Sequence, residues 1–427
     1  MLFNMPYETI VGRSRDDFEK YQTQGSGYIG KHIVGTGEDA HLTTKVMFDL
    51  LRPHMILITG KRGTGKSYLG GLLVEEFCQL PDEVRKNMAV VMIDTMGIFW
   101  SMKFPNEQQM QELENWKLQP RAMDNVRVYV PFSQMPDFES SGIPVDYGVT
   151  IAPYEFSAED WLLAFNLPRT SPVGVALEKN INQLFEREER FTIADMIAKV
   201  KDDPDTSEDV KNAIENLLTV ANQWGVFGEE GYSVDNLIQP GQVSVMDVSR
   251  LRSSQAWSVR NLIVAIIARR IYQMRLVARK EEEIAKITGD VVKDKKPLVW
   301  LLIDEAHNFV PSENDTVSSE PLKVISKQGR EPGISMTVIT QMPNKIHQDI
   351  LSQTDIVFSY RLTSRDDLGA LHSVMQTYHS EDLWKYINTL PRWPGASIVL
   401  DDNLEKIFSV AIRPRLSWHA GGTAVVI

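Results

Sequence analysis

Cysteine is nearly absent: Cys78 stands alone in 427 residues. A single thiol excludes an intramolecular disulfide and any cysteine-based zinc cluster, and it suits a reducing cytoplasm. Long apolar runs are missing too. The best stretch, Leu262 to Val277, is broken by Arg269, Arg270 and Arg275, costly groups in lipid, so no membrane span is expected. The opening Met1-Leu2-Phe3-Asn4-Met5-Pro6 lacks the charged start and sustained apolar core of a signal peptide. An excess of positive charge is also lacking. At a net charge of −12 the chain is no broad, nonspecific coat for nucleic acid, although a few loops lining a channel could still touch DNA. No internal repeat or low-complexity tract is present.

What is present is an octapeptide, Gly60-Lys61-Arg62-Gly63-Thr64-Gly65-Lys66-Ser67, that meets every fixed position of the P-loop pattern G-x-x-x-x-G-K-[ST]. An apolar run, Met55-Ile56-Leu57-Ile58-Thr59, feeds it and a helical stretch from Tyr68 to Phe77 leaves it, the context the motif requires. Backbone N–H groups from Gly60 through Tyr68 are expected to surround the phosphates of ATP, helped by the helix N-terminus. Lys66 is expected to reach the β- and γ-phosphates and Ser67 to coordinate Mg²⁺.

The rest of the chain reads as an α/β protein with a central, mostly parallel sheet. Residues 1–50 read as a short β-rich lead-in, 51–104 as the first part of an ATPase core, and 105–240 as a helical insertion. Residues 241–413 read as the second core part and 414–427 as a tail. Ser157-Ala158-Glu159-Asp160 has the pattern of a capping box. A long helix is expected over about Trp257 to Lys286, with its arginines on a solvated face. Apolar, β-branched runs at 298–303, 334–340 and 356–360 read as strands buried on both faces. A hairpin is expected over 396–412.

Three strands end in aspartate: Asp94, Asp247 and Asp304. In a parallel sheet all three lie at the carboxyl edge, where ligands bind. Only Asp304 is followed at once by a second acid, Glu305. That pair suits a metal-holding aspartate and a glutamate that deprotonates the attacking water, the mark of a hydrolase. Asp94 either borders the site or caps the next turn. Arg330, in the glycine loop Gln328-Gly329-Arg330-Glu331-Pro332-Gly333, precedes a strand that delivers Gln341. Together they suit γ-phosphate sensing, although a loop arginine taken alone reads equally well as a solvated charge.

Four segments carry a family resemblance: Pro53 to Gly60, Ile93 to Phe99, Leu301 to His307, and Gly329 to Pro343. With them the chain resembles the HerA/FtsK superfamily of hexameric, DNA-translocating P-loop NTPases with RecA/FtsK-like cores, and HerA-like ATPases most of all. The resemblance implies Walker roles for Lys66, Ser67, Asp304 and Glu305. It also implies an arginine finger acting on a neighbour's ATP at Arg330 and a glutamine sensor at Gln341. A homo-hexamer acting on double-stranded DNA, with a nuclease or other effector as partner, would follow. One departure is that the residues ahead of position 51 are too few for the β-barrel that HerA carries there. Arg52 and His54 are both candidates for a further basic residue beside the P-loop strand. Lys323, Lys327 and Lys345 read as pore contacts to DNA or as ordinary surface lysines. The competing functions are a secretion or pilus-assembly motor moving protein or protein–DNA cargo, and an ATPase scaffold for an effector.

Overall fold

The computed structural model describes residues 8–187, 190–228, 231–251, 256–292, 294–362, 365–374, 386–387 and 389–422. Residues 1–7 of the lead-in and 423–427 of the tail lie outside the described residues. The strands are β1 (Thr9–Val11), β2 (Ser26–Val34), β3 (His41–Asp49), β4 (Met55–Thr59), β5 (Met88–Asp94), β6 (Val126–Pro131) and β7 (Tyr147–Val149). Then come β8 (Val243–Asp247), β9 (Leu298–Ile303), β10 (Ile334–Thr340), β11 (Ile356–Ser359), β12 (Ala396–Asp401) and β13 (Lys406–Ile412).

All thirteen join one sheet in the order β1-β3-β2-β13-β12-β11-β4-β10-β9-β5-β8-β6-β7. From β11 to β7 every pairing is parallel. This is the doubly covered α/β arrangement that the apolar runs imply. Every residue of β4, β5 and β8 is buried. The β12–β13 hairpin is antiparallel and leads through β2 and β3 to the far end of the sheet. The residues read as a lead-in therefore complete the same sheet.

The block at 105–240 is helical in large part but also supplies β6 and β7, which extend the sheet beyond β8. Val126 to Pro131 is too short a run to stand out among helix signals. The capping box is present: Ser157 Oγ accepts from the Asp160 N–H and Asp160 accepts from the Ser157 N–H.

The long helix, Ala256–Thr288, departs from expectation in its arginines. Arg275 is fully buried and donates to the carbonyls of Pro332 (2.7 Å) and Lys296 (2.9 Å). Arg269 pairs with the buried Asp160. Periodicity identifies the apolar face of a helix; it does not reveal that another element covers the polar face with acceptors. Among the described residues no helix is long and apolar enough to cross a membrane.

The helix that leaves the P-loop, Lys66–Cys78, is buried over nearly its whole length. Its two carboxylates, Glu75 and Glu76, face the chain that follows β13. Glu75 accepts from Arg413, Arg415 and Ser417 Oγ, and from the backbone N–H groups of Leu416 and Ser417. Glu76 accepts from Arg413 and from the Tyr28 N–H. Gly71 leaves room for this seam: a Cβ there would lie 2.4 Å from the Arg415 guanidinium.

Candidate nucleotide site at the carboxyl edge

The P-loop turn needs backbone that L-residues avoid. Gly60, Gly63 and Gly65 have φ of 153°, 75° and 106°, and Gly65 forms the N-cap of Lys66–Cys78. No side chain caps this helix and no acid stands in its first turn. Its leading N–H groups are thus left for an anion, which is what a phosphate requires. Tyr360 closes the loop from below: its Cβ comes within 2.6 Å of where a Cβ on Gly60 would sit, and its ring within 3.6 Å of one on Gly65. Its hydroxyl is buried.

Lys66 Nζ lies within the loop, donating to the Lys61 carbonyl at 2.8 Å. Burial lowers its pKa, opposed by the charges of Glu305 and Asp304. Lys61, Arg62 and Gly63 are exposed at the tip. Thr64 Oγ1 also donates to the Lys61 carbonyl, at 2.7 Å. Tyr68, read as part of the cradle, directs its hydroxyl elsewhere, to Gln109 and to the Arg415 N–H. Only its backbone can serve a phosphate.

Asp304 follows β9 directly and is almost wholly buried. Its carboxylate oxygens stand 3.3 and 3.5 Å from Ser67 Oγ. Burial and then the neighbouring Glu305 charge push its carboxyl up to about 7. A buried acid with a facing hydroxyl and no cation bonded to it fits a divalent metal, so the pair can hold Mg²⁺. Glu305 is left-handed, with φ 50° and ψ 45°. That conformation is uncommon outside glycine, and the side chain it carries lies at the end of β10. There Gln341 Nε2 donates to it at 2.5 Å and His307 Nδ1 lies 3.5 Å away. His307 is held in turn by Thr340 Oγ1 at 3.1 Å. β10 lies between β4 and β9, so Gln341 emerges between the P-loop and Asp304. Nothing in the sequence marks Thr340 for the site; for His307 the signal is its spacing, two residues past the acid pair.

Asp94 stands at the strand end beside Asp304, near enough to feel its charge, and its carboxylate serves the backbone. It accepts four backbone N–H groups, from Met96, Gly97, Ile98 and Phe99, and so caps the turn after β5. Asp247 accepts from the Ser249 N–H. Lys323 is mostly buried against Asp315 and Glu320, and Lys327 pairs with Asp349. Arg52 pairs with Asp17, while His54 is buried between Asp49 and Asp355.

Arg330 is the one predicted site residue the fold keeps apart. Its loop enters β10 at the amino edge, whereas the P-loop leaves β4 at the carboxyl edge. Its guanidinium is half exposed and lies 3.2 Å from Asp355.

The model of the family described as helicase HerA, central domain, matches residues 28–271. The chain belongs to that family. The matched span holds the whole P-loop and ends before Asp304. The DNA double-strand break repair helicase HerA of Pyrococcus furiosus is 25% identical over 142 residues, 30% of this chain and 26% of that protein. The probable HerA of Methanocaldococcus jannaschii is 30% identical over 118 residues, 28% of this chain and 23% of that one. Each match thus spans about a quarter of the relative's length. Among solved structures, VirB4 of Thermoanaerobacter pseudethanolicus superposes with a TM-score of 0.53 at 13% identity, covering 90% of this chain and 96% of that one. The conjugative coupling protein TrwBΔN70 gives 0.51 at 14%, covering 92% and 95%. At such identities these likenesses establish the shared fold of the HerA-family chain, a P-loop α/β core.

Proposed function

We propose that this HerA-family chain is a Mg²⁺-dependent ATP hydrolase working as a ring motor on double-stranded DNA. One observation carries the reading: the chemistry is divided between the two edges of a single sheet. Lys66, Ser67, Asp304, Glu305 and Gln341 share one edge and Arg330 stands at the other. Backbone N–H groups from Gly60 to Tyr68 bind the phosphates, and Lys66 Nζ leaves the Lys61 carbonyl to neutralise them. Ser67 Oγ and Asp304 would hold Mg²⁺, which would supply positive charge to offset that of the phosphates. Glu305 orients the attacking water and takes its proton at a carboxylate oxygen. Gln341, bonded to that carboxylate, reports the state of the γ-phosphate to β10. Arg330, too far round the sheet for its own P-loop, serves the site of a neighbouring copy.

Family membership and the names of the archaeal relatives support DNA as the cargo. A homo-hexamer follows from the superfamily resemblance, and a nuclease or other effector would be its partner. The test is steady-state ATPase rate with and without linear double-stranded DNA, together with particle mass in ATP and Mg²⁺. A hexamer-sized particle whose turnover rises with DNA is expected. Turnover indifferent to DNA would overturn the DNA motor and favour protein cargo or an effector scaffold.

A further inference from the structure

At the amino edge of the sheet, five charged side chains form an unbroken row. Arg13 pairs with Asp49, and Asp49 Oδ2 lies 3.4 Å from His54 Nε2. His54 Nδ1 lies 3.0 Å from Asp355 Oδ2, and the same oxygen lies 3.2 Å from the Arg330 guanidinium. Both imidazole nitrogens thus face carboxylates, so both donate and the ring is an imidazolium. Arg13, Asp49, His54 and Asp355 are each less than a tenth exposed, while Arg330 is half exposed. Only the last member of the row can leave it.

We infer that Asp355 is the positioning residue that holds Arg330 aimed outward from the amino edge, toward the site of an adjoining copy. Two further contacts support the assignment. Asp355 is itself fixed by four donors: Met55 N–H at 2.7 Å on Oδ1, and His54, Asn403 (3.1 Å) and Arg330 on Oδ2. The loop that carries Arg330 is pinned from behind, because the buried Arg275 donates to the Pro332 carbonyl at 2.7 Å. Backbone and guanidinium are therefore each anchored to the core, and a finger so preorganised loses less freedom when it engages a phosphate. One oxygen of Asp355 is thus shared between two cations and an amide.

The inference rests on the reading of Arg330 as a finger acting in trans, and the two are separable in mixed rings. Arg330→Ala subunits, which keep an intact P-loop, are mixed with Lys66→Ala subunits, which keep Arg330; mixing is verified by mass. ATPase rescue in these rings is expected, and its absence would sink the finger and Asp355 with it. Asp355→Asn is then placed in one partner at a time. It preserves an oxygen for the Met55 N–H while removing the charge. In the Lys66→Ala donor it should lower the rescued kcat about tenfold with KM unchanged, the scale expected for a misplaced group. In the Arg330→Ala acceptor, where no finger remains to be positioned, the rescued rate should stay within about twofold. Equal loss in both arms, or none in either, would overturn the role of Asp355 and leave the finger standing. A merely structural role for Asp355 predicts the equal loss.

Discussion

The two edges of the sheet are built on opposite plans. At the carboxyl edge the functional groups contact one another: Gln341 bonds Glu305, Asp304 faces Ser67, and Lys66 lies in its own loop. The oxygens of Asp304 and Ser67 suit a metal there, and the uncapped N–H groups of the loop suit a phosphate. At the amino edge Arg13, Asp49, His54 and Asp355 are paired with one another within the chain, and one guanidinium projects from the row. On the proposed function, assembly would bring the amino edge of one copy to the carboxyl edge of another, where Arg330 would meet the phosphates.

Breaking the amino edge at its tip should have the largest effect. Arg330→Ala is expected to lower ATPase by on the order of 10³ or more in assembled rings while nucleotide affinity stays near its original value. Normal turnover in Arg330→Ala rings would remove the trans role. Next, Glu305→Gln should reduce turnover by about 10² to 10⁴ with ATP still bound, measured by single-turnover hydrolysis beside nucleotide-binding titration. Its defect should follow the subunit that carries the P-loop, in contrast to that of Arg330→Ala.

A third experiment separates the edges by pH. The carboxylates of Asp355 and Asp49 outweigh burial and raise His54 to about 9. A raised folded-state pKa means that the contribution is complete below the ordinary histidine value and is lost as pH climbs through about 9. Unfolding free energy from denaturant titration should therefore fall between pH 6.5 and 9.5 by on the order of 3 kcal/mol, and His54→Gln should flatten that fall. An unchanged slope in the variant would show that His54 is not the charged link. The smallest effect is assigned to Gln341→Ala. Removing one hydrogen bond to a charged carboxylate should cost about tenfold in kcat, with little change in ATP affinity. A loss as deep as that of Glu305→Gln would mean that Gln341 touches the reacting phosphate itself.

Legibility differed between the edges for the same physical reason. The carboxyl edge follows strands whose apolar runs are visible, and its groups cluster in short motifs: Lys66 beside Ser67, Asp304 beside Glu305. Strands β4, β5, β8, β9, β10 and β11 could be read from those runs. β6 and β7 could not, being short pieces inside a helix-rich block. The amino edge was opaque because its partners meet only in the fold: His54 and Asp355 are 301 residues apart. An aspartate ahead of a strand has no distinguishing neighbour. Arg275 has the sequence setting of a solvated arginine, because nothing near it in the chain announces the Pro332 carbonyl. The tyrosine hydroxyl of Tyr68 was claimed by a chain segment 347 residues away.

The seam on the P-loop helix has a consequence for how the protein is made. Synthesis proceeds from the amino end, so Glu75 emerges 338 residues before Arg413. During that interval two adjacent carboxylates on a buried helix have none of the guanidinium groups that later enclose them. A nascent chain thus carries the phosphate loop long before it carries the seat on which that loop rests. A chain that ended before Arg413 would leave both carboxylates without their guanidinium partners, so the helix behind the P-loop is expected to become stable only once the residues past β13 have been translated.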